Sequence, residues 1–138
     1  MGRLLGIDYG EKRIGISISD PNRNIATPLE TIIFESESSL IIKIRSIVLS
    51  WSVDGIILGF PIGMNGQDTI QTKKVRKFYK ILCNEFNISV IKEDERLSSV
   101  VALNSLRHQG IKPSRNKSMV DSTAAAIILQ SYLDRIKY

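Results

Sequence analysis

Leu4-Leu5-Gly6-Ile7-Asp8-Tyr9-Gly10 decides how the rest of the chain is read. Leu4 to Ile7 is an apolar run of strand length, Asp8 is the first charge after it, and Gly10 opens a turn. Arg13-Ile14-Gly15-Ile16-Ser17-Ile18-Ser19 then places apolar residues on alternate positions, the pattern of a second strand. The two runs are close enough to form a hairpin through Tyr9 to Lys12. A carboxylate at the end of a central strand is expensive to desolvate unless it is paired or binds a metal. Asp8 therefore has two readings: a working acid, or a residue that only starts the turn, as Asp and Gly commonly do.

Outward from this hairpin, Asp20-Pro21-Asn22-Arg23-Asn24 is a turn, and Ala26 to Phe34 is a third strand rich in Thr and Ile. Three strands on short links predict an antiparallel meander. Ser36 to Ser39 supplies N-caps for a helix with Leu40, Ile41, Ile44, Ile47, Val48 and Trp51 at helical spacing. Gly55 to Phe60 is a continuous apolar run, as in a parallel strand buried on both faces. It ends in the Pro61-Ile62-Gly63-Met64-Asn65-Gly66 loop. Asp68 or Thr69 caps a second helix, with Val75, Phe78, Tyr79, Leu82 and Phe86 as its apolar stripe and Lys73, Lys74, Arg76, Lys77 and Lys80 on the other face. Cys83, beside the stripe, reads as a small core residue.

Ile88 to Ile91 is a fifth strand running into Lys92-Glu93-Asp94-Glu95-Arg96. Ser98 or Ser99 caps a third helix that ends at Gly110, a basic loop spans 111–117, and Ser118 starts the last helix. The order β-β-β-α-β-α-β-α-α predicts one α/β domain over residues 1–138. Its five-stranded mixed sheet combines a three-strand antiparallel meander with parallel strands and carries helices on both faces. Ligand sites in such sheets lie at the carboxyl ends of the strands. Asp8, the 60–66 loop and the acids at 93–95 all fall at such ends.

Asp121 adds an acid from the last helix. Ala125 and Ile128 lie at i+4 and i+7 from it, so it sits on the core-facing side, and the adjacent alanines permit close approach to the sheet. The competing reading is a capping box, Ser118-x-x-Asp121, with Asp121 supporting the helix N-terminus. Acids from two strand ends and one helix are a common way to hold divalent metal. Magnesium takes oxygen ligands, and two ions about 3.5–4 Å apart activate water and stabilise the leaving oxygen of a phosphodiester. One Cys and one His are too few for a zinc site. His108 reads as an exposed or hydrogen-bonded histidine.

The 138 residues carry a formal net charge of +5, unevenly spread. Residues 1–68 hold 6 Lys/Arg and 8 Asp/Glu, residues 69–117 hold 11 and 4, and residues 118–138 hold 2 and 2. A basic middle segment points to a polyanionic partner such as nucleic acid. A solvated basic helix surface is the plainer reading. The single cysteine rules out an internal disulfide and is compatible with a reducing cytosol. No signal peptide is apparent, and no apolar run approaches a membrane span, so no membrane partner is expected.

Gly6-Ile7-Asp8-Tyr9-Gly10 with Arg13-Ile14-Gly15, Gly59-Phe60-Pro61 with Asn65-Gly66, Asp94-Glu95-Arg96-Leu97, and Asp121-Ser122-x-Ala124-Ala125 occur in one order along the whole chain. Together they resemble the YqgF family, also called RuvX, of the RNase H-like superfamily. The resemblance implies a bacterial cytoplasmic nuclease, related to Holliday junction resolvases and implicated in maturing the 5′ end of pre-16S rRNA. Pre-rRNA or branched DNA and ribosomal precursor particles are the implied partners, with the protein a monomer or homodimer. The resemblance also implies an acidic triad for Mg2+ or Mn2+ on Asp8, Glu95 and Asp121, with Asp94 as the alternative to Glu95. Lys12, Arg13, Arg96, Arg107, Lys112, Arg115 and Lys117 are the cations placed to contact nucleic acid. The family's threonines after the acidic motif are Ser98 and Ser99 here, which keep the hydroxyl. Three alternatives stay open: resolution of DNA junctions, nucleic-acid binding without catalysis, and an actin- or sugar-kinase-like phosphotransferase suggested by Asp8-x-Gly10. The last normally needs two such modules.

Overall fold

Alternation along the first strand divides the molecule. Leu5 and Ile7 face one layer, while Leu4, Gly6 and Asp8 face the other, because successive side chains of a strand point to opposite sides. The computed structural model describes residues 2–63, 65–97 and 117–137, with the side chains of 117–120 left aside. The elements are β1 (Arg3–Tyr9), β2 (Arg13–Ser19), β3 (Ala26–Ile33), α1 (Glu37–Ser50), β4 (Val53–Phe60), α2 (Ile70–Glu85), β5 (Ser89–Asp94), a 3-10 turn at Glu95–Leu97, and α3 (Lys117–Ile136). The third helix expected after Ser98 and the 111–116 loop lie outside the described residues.

The five strands form one sheet in the order β3-β2-β1-β4-β5. β1–β2 and β2–β3 pair antiparallel, giving the expected meander, and β4 pairs parallel with both β1 and β5. β1 is therefore central, and the carboxyl ends of β1, β4 and β5 share one edge. In register, Ile7 stands opposite Leu58, and Gly59 opposite Glu93.

One face buries Leu5, Ile7, Ile14, Ile16, Ile56, Leu58 and Phe60 against Leu40, Ile44 and Ile47 of α1 and Val75, Phe78 and Leu82 of α2. The other buries Leu4 and Ile57 against Ala126, Ile128, Leu129 and Leu133 of α3. Ser36 caps α1 by accepting from the Ser39 N–H at 3.1 Å. Thr69, rather than Asp68, caps α2 in a reciprocal box with Thr72, and Asp68 instead takes Arg76.

Two expectations are corrected. Cys83 is exposed, not in the core: it follows the buried Leu82, and the 100° step per residue of a 3.6-residue turn swings it off the apolar stripe. The capping-box reading of Asp121 also falls. The helix begins at Lys117, so Asp121 lies beyond its first turn.

Candidate active site

The site grows from glycines. α3 crosses the sheet so closely at Gly15 that a Cβ there would lie 2.0 Å from the Asp121 backbone oxygen. The Ser17 hydroxyl donates to the Ala125 carbonyl at 2.8 Å, fixing the helix along β2. This close approach delivers Asp121 to the sheet. On β4, a Cβ at Gly59 would stand 2.6 Å from Ile128 Cδ1 and 2.9 Å from Glu95 Oε1. The empty position at Gly59 is therefore the space into which Glu95 folds back after β5.

The end of β1 is held from several sides. Gly10 N–H donates to the Arg13 carbonyl at 3.0 Å to close the hairpin. Gln71 Nε2 donates to the Tyr9 carbonyl at 2.8 Å, tying the start of α2 to the strand end. Thr72 donates through its hydroxyl to the Pro61 carbonyl, which anchors the loop after β4.

The Asp8 and Glu95 carboxyl groups face each other across this edge and interact directly. Burial, then the Asp8 carboxylate, then Asp94, push Glu95 up to about 7. Burial raises Asp8 as well, the Asp121 charge adds to the rise, and the direct interaction with Glu95 opposes it. Asp8 thus interacts directly with Glu95 and electrostatically with Asp121. The third acid is turned aside: Asp121 Oδ2 accepts from Arg13 Nε at 3.0 Å. Among the described residues, no three acids, histidines or cysteines already form a metal cage.

Asp94 goes the other way. It is the strand residue after Glu93, so it points to the α2 face, where it lines a cavity with Phe60, Ile62, Arg76 and Lys92. Its carboxylate takes the Arg96 guanidinium through bonds of 2.8–3.1 Å, which holds it below its usual range. Arg96 is thereby paired, as is Arg13, so neither cation is free in this state. Lys12 is exposed in the hairpin turn. Arg107, Lys112 and Arg115 lie outside the described residues, as does the Lys117 side chain.

Two contributors have roles that the sequence did not assign. Glu93 is 1% exposed, and both its oxygens accept from Arg135 of α3, at 2.5 and 2.6 Å. That pair ties β5 to the last turn of α3, two residues before Glu95. Gly59 was visible as a loop motif, but its role as the space for Glu95 was not.

The profile of the RuvX family, described as a Holliday junction resolvase, matches residues 2–135. A protein of Ruminiclostridium cellulolyticum, provisionally named a pre-16S rRNA nuclease, is 42% identical over 97% of this chain and 95% of its own length. A protein of Acetivibrio thermocellus with the same provisional name is 44% identical over 96% and 95%. Among solved structures, RuvC of Thermus thermophilus in complex with a Holliday junction substrate superposes with a TM-score of 0.66 at 12% identity, over 99% of this chain and 97% of that one. The yeast mitochondrial Holliday junction resolvase Ydc2 gives 0.54 at 12% identity, over 96% and 78%. These two likenesses establish the RNase H-like fold. The family profile and the near-full-length relatives go further: the chain belongs to the RuvX Holliday junction resolvase family.

Proposed function

We propose that the protein is a metal-dependent endonuclease that hydrolyses phosphodiester bonds in maturing the 5′ end of pre-16S rRNA, in the bacterial cytoplasm. The observation that carries this reading is the Asp8–Glu95 pair. Two part-buried carboxyl groups facing each other at strand ends are unfavourable for stability, and such arrangements concentrate at functional sites. A binding module without catalysis gains nothing from acids that repel the phosphates it must hold. The provisional names of the near-full-length relatives favour pre-rRNA as the substrate.

The donor set fits magnesium or manganese: hard carboxylate oxygens, with no cysteine or histidine among the three acids. Asp8, Glu95 and Asp121 are the residues that would hold the metal. When bound, it would activate water and stabilise the leaving oxygen. The chain's own part is to present ionised acids. Glu95, pushed up to about 7, gives up its proton, and Asp121 is released when the Arg13 guanidinium turns to a substrate phosphate. Arg13 would then both position nucleic acid and open the third acid.

The test is cleavage of a 5′-extended 16S rRNA precursor by purified protein with Mg2+ or Mn2+, with Glu95→Gln as the control. Loss of cleavage in the variant supports the reading, and equal rates oppose it. The family description favours a second reading, resolution of four-way DNA junctions. The same preparation offered a synthetic junction tests it.

A further inference from the structure

On the face of the sheet opposite the Asp8–Glu95 pair, Phe60, Ile62, Arg76, Lys92 and Asp94 line a cavity of about 240 Å3 at the same strand-end edge. Its cations are fixed in place. Lys92 Nζ stands 5.3 Å from the Phe60 ring centroid and 4.8 Å from that of Tyr79. Arg76 Cζ stands 5.7 Å over Phe60 and is held from the other side by both oxygens of Asp68. Ring contacts of this kind attract the cation and hold it without neutralising it. Lys92 has no ion pair among the described residues, whereas Arg76 is opposed by Asp68 and Asp94 by Arg96. Among the lining residues of the cavity Arg76 and Lys92 are cations and Asp94 is an acid, so its wall carries one net positive charge. Phe60 is 3% exposed, so its ring is not available for a base to stack on. A lysine on an edge strand also discourages sheet-to-sheet pairing, but that role requires neither the aromatic clamp nor the cavity.

We propose that this cavity is a subsite for a backbone phosphate of the strand being cut, with Lys92 as its main contact and Arg76 in support. The inference rests on the nuclease reading for its direction. Asp94 and Glu95 are consecutive, so a strand whose scissile phosphate lies at Glu95 passes over the tip of β5 and brings a neighbouring phosphate to Lys92. The site reads charge and not base identity, as phosphate contacts do.

The test uses the full chain carrying Asp8→Asn, with Mg2+ present and a short single-stranded RNA of fixed sequence, its affinity followed against salt. Adding Lys92→Gln should flatten the salt dependence by about 0.7 of a logarithmic slope unit, a loss of roughly fivefold near 0.1 M salt, while Lys92→Arg keeps the slope. A walk of neutral methylphosphonate linkages along the RNA should find one position whose effect disappears in Lys92→Gln. An unchanged slope, or linkage effects that add to Lys92→Gln at every position, would overturn the subsite. So would saturable binding of inorganic phosphate that is lost in Lys92→Gln while the RNA slope stays the same. Cleavage by protein with an intact Asp8, measured in parallel, separates the two claims. Cleavage with an unchanged slope removes only the subsite. A flattened slope without cleavage keeps the subsite and removes the nuclease.

Discussion

Replacing Asp8 by Asn should stabilise the folded protein more at alkaline pH than at pH 5. Glu95 rises from 4.5 to about 7 on folding, so between these values the native state binds more protons than the unfolded chain. Stability therefore falls as pH rises through that window, and the whole penalty is present above pH 7. At about 1.36 kcal/mol per pH unit the ceiling is about 3.4 kcal/mol. Partial exposure of the site to solvent screens this to about 2 kcal/mol. Burial is the largest cause of the rise and stays in the variant, but the Asp8 charge and its own desolvation are removed. The expected gain at pH 8 is about 1.5 kcal/mol, or roughly 5 °C in Tm for a chain of this length. The assay is thermal unfolding of wild type and Asp8→Asn at pH 5 and pH 8 in EDTA, followed by circular dichroism. Equal Tm offsets at the two pH values would refute the raised Glu95 titration that Asp8 contributes to. A stabilised but inactive variant is the usual sign that a site carries repulsion for function.

Other outcomes follow from the same geometry. Mg2+ binding near pH 6.5 should release up to about one proton, because the ion competes with the proton that Glu95, pushed up to about 7, still largely holds there; calorimetry in buffers of different ionisation enthalpy measures this, and zero release would remove the competition. Gly59→Ala should lower stability by about 1–3 kcal/mol and cleavage with it, since its Cβ meets Ile128 and Glu95; chemical unfolding and a cleavage assay check both, and a neutral result would mean that Glu95 does not use that space. Arg135→Met should cost about 3 kcal/mol by stranding the buried Glu93, with Glu93→Gln in the same chain recovering part of it. Recovery is absent if the arginine acts only through its own packing.

The meander, the parallel pair and the two-faced helix arrangement were legible because each depends on local periodicity: alternation in Arg13 to Ser19, a continuous apolar run in Gly55 to Phe60, and 3.6-residue spacing in the helices. Asp8 stood out as a candidate because a charge ends an apolar strand. The choice between Asp94 and Glu95 was not, since it turns on a single 3-10 turn after β5 that sends one side chain to each face. The Arg13–Asp121 pair was not legible, because the two residues are 108 positions apart and no local pattern reports such a pair. Cys83 was misplaced by one helical step. Glu93 looked like one more acid in a row of three, and only the approach of Arg135 makes it an anchor between β5 and α3.

The most direct measurement is cleavage of a 5′-extended 16S rRNA precursor by protein shown free of contaminating nuclease, comparing wild type, Asp8→Asn and Glu95→Gln, each with Mg2+ and with EDTA. Wild type should shorten the precursor only with metal, and each variant should lose more than about a hundredfold in rate while unfolding cooperatively. Cleavage by both variants at the wild-type rate would contradict the assignment of these two acids to the reaction.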